Sequence, residues 1–238
     1  MTFKNVHIIG TSHIAKESLK EIEQAFDSLK PGVVAVELDR KRMHALHSKE
    51  PQKLRFSDMR HVGLKGYLFA VIGRYVQHKL GNVVGVSPGS EMKLAVSLAQ
   101  KHKAKVALID QDIDITLRRF SQALSWREKF RFVGDMFRSL FRRKKAMEEL
   151  GLKDSELDLS KVPGKELVRK LILHLKRRYP NIHRVLVAER NEVMASNIVK
   201  LMHKFSDQPI LVVVGAGHEE ELLDLIRKKY HLVDVVRP

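Results

Sequence analysis

Ile210-Leu211-Val212-Val213-Val214-Gly215-Ala216-Gly217-His218 is the stretch on which the fold turns. Five consecutive apolar residues, four of them β-branched, predict a strand covered on both faces. The glycines after it permit a tight turn that a side chain would obstruct. Residues 219–230 then read as a helix, and residues 231–236 as a last short strand. A second copy of this strand–turn–helix pattern lies at the other end of the chain. Val6-His7-Ile8-Ile9 reads as a strand and runs into Gly10-Thr11-Ser12-His13. Ile14, Leu19, Ile22, Phe26 and Leu29 follow at helical spacing, and Pro31-Gly32 ends that helix. Val33-Val34-Ala35-Val36 is the next apolar run. Strand, helix and strand in that order predict a βαβ unit whose two strands pair in parallel. Residues 82–86 read as a strand, 90–101 as a helix and 105–109 as a further strand.

The middle of the chain differs. Residues 117–205 show helical periodicity and no strand. They read as a helical insertion within a single domain of residues 1–238, with breaks at Gly151 and Pro163-Gly164. The expected fold class is therefore α/β, a mainly parallel sheet flanked by helices and carrying a helical insertion.

Composition bounds the function. The 238 residues are 44% hydrophobic and 30% charged, enough for a packed core rather than a disordered chain. The absence of cysteine excludes disulfides and Cys-ligated zinc or iron–sulfur sites. No apolar run approaches the roughly 18 residues of a spanning helix, and the N-terminal apolar stretch is too short for a signal-peptide core. The expectation is a soluble, cytoplasmic protein. The net charge of +16 favours nucleic acid, an anionic membrane surface or acidic partners.

The chemistry-bearing residues gather at one sheet edge. In open α/β sheets ligands bind outside the carboxyl ends of the strands. Both Gly-x-x-His turns, with His13 and His218, fall there, each histidine near a helix N-terminus whose N–H groups attract anions. Glu37 ends the strand at Val36, and Asp110 ends the strand at Ile109. Two histidines with one or two carboxylates suit a divalent metal. They equally suit metal-free acid–base chemistry with a neutral histidine as base. An ordinary alternative for Glu37 is a capping or salt-bridged carboxylate near Arg40 and Arg42. Other motifs fail. Glu220 stands where a dinucleotide-binding turn needs its third glycine. No second histidine follows His218 at zincin spacing. Asp110-Gln111-Asp112-Ile113-Asp114 lacks the glycine and late glutamate of a calcium loop, and reads instead as a strand end running into a helix cap.

These blocks resemble the TraB family, within the wider TraB/PrgY/GumN and TIKI group. They are Gly10-Thr11-Ser12-His13 with Ser18, and Val36-Glu37-Leu38-Asp39 with Arg42 and Leu46. Pro88-Gly89-Ser90-Glu91-Met92 follows, then Leu108-Ile109-Asp110-Gln111-Asp112-Ile113 with Thr116 and Arg119. Glu189-Arg190-Asn191 with Met194-Ala195, and Val214-Gly215-Ala216-Gly217-His218, complete the series. The resemblance implies a ChaN/erythromycin-esterase-like fold. It also implies a hydrolase site. TIKI proteins are regarded as metal-dependent proteases using the two histidines and a glutamate, TraB members are linked to shutdown of peptide pheromones, and the related esterases use histidine without metal. Carried onto this chain, the metal ligands are His13, His218 and Glu37, holding Mn, Co or Zn. The catalytic candidates are Glu37 and Arg190, with Glu189 and Asn191 beside it. Ala188 and Asn191 stand where many TraB proteins have Asp, which lowers the ligand count. Many relatives carry C-terminal membrane segments. This chain stops at Pro238, which reads as a naturally soluble form or a truncated one.

Residues 118–145 hold ten Lys and Arg against Glu128 and Asp135, together with Trp126, Phe130 and eight more large apolar residues. That pattern predicts association through the insert, with a second copy of the chain as the favoured partner and an anionic membrane surface as the other. A helix packed on its own domain with a solvated basic face is the plainer alternative. Nucleic acid is not favoured, since no binding motif accompanies the charge. The expected ligand is a peptide, as substrate or as bound partner.

Overall fold

The computed structural model describes residues 1–11, 16–47, 89–123, 125–128, 130–131, 134–135 and 165–236. Among the described residues five strands form one sheet: β1 (Thr2–Phe3), β2 (Val6–Thr11), β3 (Val33–Val36), β4 (Lys105–Leu108) and β5 (Ile210–Gly215), in the order β1-β2-β5-β3-β4. All pairings are parallel except β1 with β2.

Alternation along the strands divides the core in two. Val33, Ala35, Ile210, Val212 and Val214 point to one face, with Val6 and Ile8. There they meet Met194, Ala195 and Ile198 of α7 (Glu189–Lys204) and Leu222 and Ile226 of α8 (Glu219–Val236). Val34, Val36, Leu211 and Val213 point to the other face. They meet Ile22 and Phe26 of α1 (Lys16–Leu29) and Met92, Ala95, Val96 and Ala99 of α3 (Ser90–Lys101). Burial on both faces is why β3 and β5 are unbroken apolar runs. Truncating a wholly buried residue such as Ile198 would cost about 2–5 kcal/mol.

The other described helices are α2 (Arg40–His47), α4 (Ile113–Ala123), α5 (Lys165–Arg178) and α6 (Pro180–His183), with a π-helical turn at Arg184–Ala188 leading into α7. Asp39 caps α2, its Oδ1 accepting from the N–H groups of Lys41 at 2.7 Å and Arg42 at 2.9 Å. Asp112 caps α4, accepting from the N–H of Asp114 at 2.8 Å. The acidic run after β4 is thus a strand end entering a helix cap. Phe120, Ile182 and Val185 form a separate small cluster joining α4, α6 and the π turn.

Three expectations are corrected. First, β2 and β3 run parallel but do not pair: β5 lies between them and bonds to both. The strand buried at all six positions takes the centre, where both its edges and both its faces are covered. Second, residues 231–236 are not a strand but continue α8 to Val236. Their β-branched residues read as strand, yet no Gly or Pro interrupts the chain from Glu219 to Arg237, so nothing stops the helix. Third, β1 was not anticipated; two residues carry too little periodicity to read. The expected strand at 82–86 lies outside the described residues, as does much of the stretch from 117 to 205. The part of that stretch which is described is helical, and α7 within it packs directly on the sheet. No described helix is long and apolar enough to cross a membrane.

Candidate functional site

The carboxyl ends of β2, β3, β4 and β5 meet at one edge, and the helices that follow them begin there. Thr11 at the end of β2 pairs with Gly215 at the end of β5, and the N–H of Ala216 donates to the Thr11 carbonyl at 2.7 Å. The N–H of His218 donates to the Gly215 carbonyl at 2.9 Å, closing a tight turn. His218 then offers its own carbonyl to Leu222, the first bond of α8. Gly10 has a different role from the one expected. It lies inside β2, and a Cβ there would run into the buried side chain of Glu219 at the start of α8. The glycine is required by close approach, not by a turn.

Glu37 follows β3 directly and is 7% exposed. Its Oε2 accepts the Gly215 N–H at 2.6 Å, which ties β3 to the turn after β5. Its Oε1 accepts from Nη2 of Arg190 and lies 3.5 Å from Nε2 of His218. Arg190 reaches from α7 and also donates to Asp110, through Nε at 3.1 Å and Nη2 at 2.5 Å. Its Nη1 donates at 3.1 Å to the Leu186 carbonyl in the π turn. Asp110, its side chain fully buried, takes a second cation, Nη2 of Arg42 at 2.5 Å. Arg42 in turn donates Nε to Asp39 at 2.7 Å.

Three carboxylates and two guanidiniums therefore share one buried patch, and no carboxylate lacks a cation or N–H donor. Burial opposes the charge on Arg190, but Glu37 and Asp110 outweigh it and raise its pKa. Arg42 behaves alike: burial lowers it, Asp110 and Asp39 raise it, and the net is upward. Burial pushes Asp39 up, yet the Arg42 N–H, its guanidinium and the Lys41 N–H together hold that carboxyl below its usual value.

The structure thus brings together Glu37, Arg190, Asp110 and His218. Asn191 joins them from α7, wholly buried, with Oδ1 at 2.6 Å from Nδ1 of His218. Glu189 is not brought there. Adjacent helical residues point about 100° apart, and Glu189 turns outward to Arg119 at 2.7 Å and Arg184 at 3.8 Å. His13 lies outside the described residues. Arg42 does not pair with Glu37 as the simpler reading had it. It bridges Asp39 and Asp110, a role the three-residue step from Asp39 could have signalled. Glu221, on α8, was missed; three glutamates in a helix's first turn look like dipole compensation and nothing more.

Two described groups, His218 Nε2 and Glu37 Oε1, have the chemistry to hold a divalent cation. Their 3.5 Å separation is close to the roughly 3.3 Å between neighbouring ligands of a tetrahedral ion with bonds of about 2.0–2.1 Å. Among the described residues no cluster of three or more His, Cys, Asp or Glu suited to a metal is present. Arg190 on the same Glu37 oxygen is a positive charge that a metal would have to share.

A mostly parallel α/β sheet flanked by helices, with this polar patch at its carboxyl edge, is of the open-sheet kind, in which ligands bind at that edge. The sequence profile of the TraB/PrgY/gumN family matches residues 2–232, and the chain belongs to that family. It is 34% identical over 227 residues to an uncharacterised protein of Methanocaldococcus jannaschii, covering 94% of this chain and 54% of that one. It is 25% identical over 239 residues to a TraB domain-containing protein of Homo sapiens, covering 90% of this chain and 60% of the relative. A TraB domain-containing protein of Mus musculus is 24% identical over the same span. The chain therefore spans between 54% and 60% of the length of these relatives.

Proposed function

We propose that the polar patch at the carboxyl edge of the sheet is a metal-dependent hydrolase site acting on a peptide or amide bond, in a sheet of the ChaN/erythromycin-esterase arrangement. The observation that carries this reading is the pairing of His218 Nε2 with Glu37 Oε1 at 3.5 Å beside Arg190, at the edge where open sheets bind ligands. His218, Glu37 and His13 would hold Mn, Co or Zn. Such an ion lowers the pKa of bound water and polarises a carbonyl. The protein's own groups do the rest. Glu37, fixed by Gly215 and Arg190, is either a ligand of that ion or the base that accepts a proton from water; Arg190 supplies positive charge where an oxyanion develops.

The test is metal analysis of untagged protein, followed by melting with added Mn, Co or Zn and by assay on a peptide library. An ion at 100 times its Kd stabilises by about 2.7 kcal/mol, which corresponds to about 5–11 °C for a chain of this length. No bound metal and no shift would overturn the metal-dependent reading.

A second reading rests on a specific contact. Arg190 already occupies the Glu37 oxygen that faces His218, as a metal-free site would arrange it. His218 is then the general base that activates water. Peptide cleavage that survives chelation and is lost in His218→Ala supports it. A peptide recovered intact after long incubation, with and without metals, would instead establish a binding protein without turnover.

The insert supports a proposal about partners. Trp126 and Phe130 are 71% and 72% exposed, with ring centroids 6.1 Å apart, next to the cations Arg127 and Arg131. We propose that this aromatic pair seats against a second copy of the chain.

A further inference from the structure

Asn191 stands between two groups with opposite demands. Its Oδ1 lies 2.6 Å from Nδ1 of His218, and its Nδ2 donates to Oε2 of Glu221 at 3.3 Å. Glu221 is held in turn by Nζ of Lys176 at 3.1 Å, and Nε2 of the buried His183 lies 3.9 Å from the same oxygen, Oε1. An ionised carboxylate only accepts, so the amide must present its NH2 to Glu221. Turning the amide over would set its oxygen against the carboxylate. The carbonyl oxygen therefore faces His218, and a carbonyl also only accepts. Nδ1 of His218 must then carry a proton, because the hydrogen bond made by one ring nitrogen sets the tautomer of the other. In the neutral ring this places the lone pair on Nε2, 3.5 Å from Glu37 Oε1, an oxygen that already accepts from the Arg190 guanidinium and so does not compel a proton on Nε2.

We propose that Glu221 is a positioning residue that fixes the tautomer of His218 through Asn191. Its importance for chemistry rests on the reading of His218 as the working histidine, for a lone pair on Nε2 is what either a metal ligand or a general base needs at that place. Glu221 bonds to Asn191 and Lys176 and not to His218 or Glu37; it acts by denying Asn191 its other orientation. Lys176 keeps the carboxylate in place from the side away from Asn191. Outer partners of this kind are worth about 10–100-fold in metal affinity or activity.

The experiment is long-range proton–nitrogen correlation NMR on the full chain, with histidine labelled with nitrogen-15, at a pH where imidazole is neutral and without metal or substrate. His218→Gln identifies the signals. The expected wild-type pattern is a protonated, pyrrole-like Nδ1 and an unprotonated, pyridine-like Nε2. In Glu221→Ala, water replaces the carboxylate and can both donate and accept, so Asn191 is released and the two nitrogens average between tautomers. In Glu221→Ala with Asn191→Asp, the new carboxylate can only accept from Nδ1, so the wild-type pattern returns without Glu221. A wild-type spectrum with the proton on Nε2 overturns the proposal whether or not any variant folds. So does a Glu221→Ala spectrum unchanged from wild type, or a double variant that fails to restore the pattern. Because the readout needs neither metal nor turnover, a locked tautomer in a protein without hydrolase activity would refute the proposed function alone. A mixed tautomer in an active enzyme would refute this inference alone.

Discussion

Replacing Arg190 with methionine isolates what the buried charge patch contributes. Arg190 is 14% exposed and donates to Asp110, Glu37 and the Leu186 carbonyl. Removing one partner of a buried ion pair costs about 3–5 kcal/mol, because the remaining charge stays in a medium that cannot solvate it. Here two carboxylates lose a cation, but neither is abandoned. Asp110 keeps Arg42 at 2.5 Å, and Glu37 keeps the Gly215 N–H at 2.6 Å. The expected cost is therefore at the lower end, about 3 kcal/mol, or about 6–12 °C in Tm for a chain of this size. Adding Glu37→Gln removes one of the two under-compensated charges, while the amide oxygen can still accept from Gly215. Arg190→Met with Glu37→Gln should thus be more stable than Arg190→Met alone, with a coupling of at least about 1 kcal/mol. Urea unfolding followed by circular dichroism measures this, provided the slope m is unchanged among the four proteins. A double variant destabilised by the sum of the singles, or an Arg190→Met cost under about 1 kcal/mol, would refute the argument that these charges depend on each other.

Burial lowers the pKa of His183 below its ordinary 6.5, with Glu221 pulling it up and Lys176 pushing it down. The unfolded chain then takes up the proton first, so this contribution is complete above pH 6.5 and declines as pH falls through the folded value; His183→Gln should flatten the Tm profile in that window. Asp39 behaves likewise lower down, its contribution declining only below its ordinary 3.8. Gly10→Ala should cost about 1–3 kcal/mol in a urea titration, because the new methyl meets the Glu219 side chain in a packed strand–helix contact. For the insert, sedimentation should show a dimer that persists at high salt and is lost in Trp126→Ala with Phe130→Ala, since apolar burial is not screened. A monomer that binds anionic vesicles only at low salt would assign the surface to membranes instead.

Strand identity was legible because β3 and β5 are continuous apolar runs, a pattern that only a doubly covered strand requires. Strand order was not. Nothing in Val33–Val36 or Ile210–Gly215 records which is the neighbour of β2, since parallel pairing uses backbone groups common to all residues. Glu37, Asp110 and His218 could be placed by position alone, as the residues that follow strands or the turn after one. Arg190 and Asn191 could not, because a helix interior offers no such landmark; the resemblance located them. The same resemblance carried Glu189 along, though its rotation about α7 takes it to Arg119. Glu221 was invisible for the converse reason: its role exists only once α7 and α8 lie side by side.

The central place of β5 also governs how the chain can be made. β2 and β3 are synthesised long before the strand that bonds to both, and Glu37 waits 178 residues for the Gly215 N–H that it accepts. At about 5–20 residues per second, the ribosome leaves the β3 edge without its partner for roughly 9–36 s, and the β2 edge for longer. During that interval they are the sort of bare template on which other nascent chains pair. The sheet, and with it the polar patch at its carboxyl edge, can close only once β5 has been synthesised, so early engagement by a chaperone should raise the yield of folded protein more than any change in the finished structure's stability.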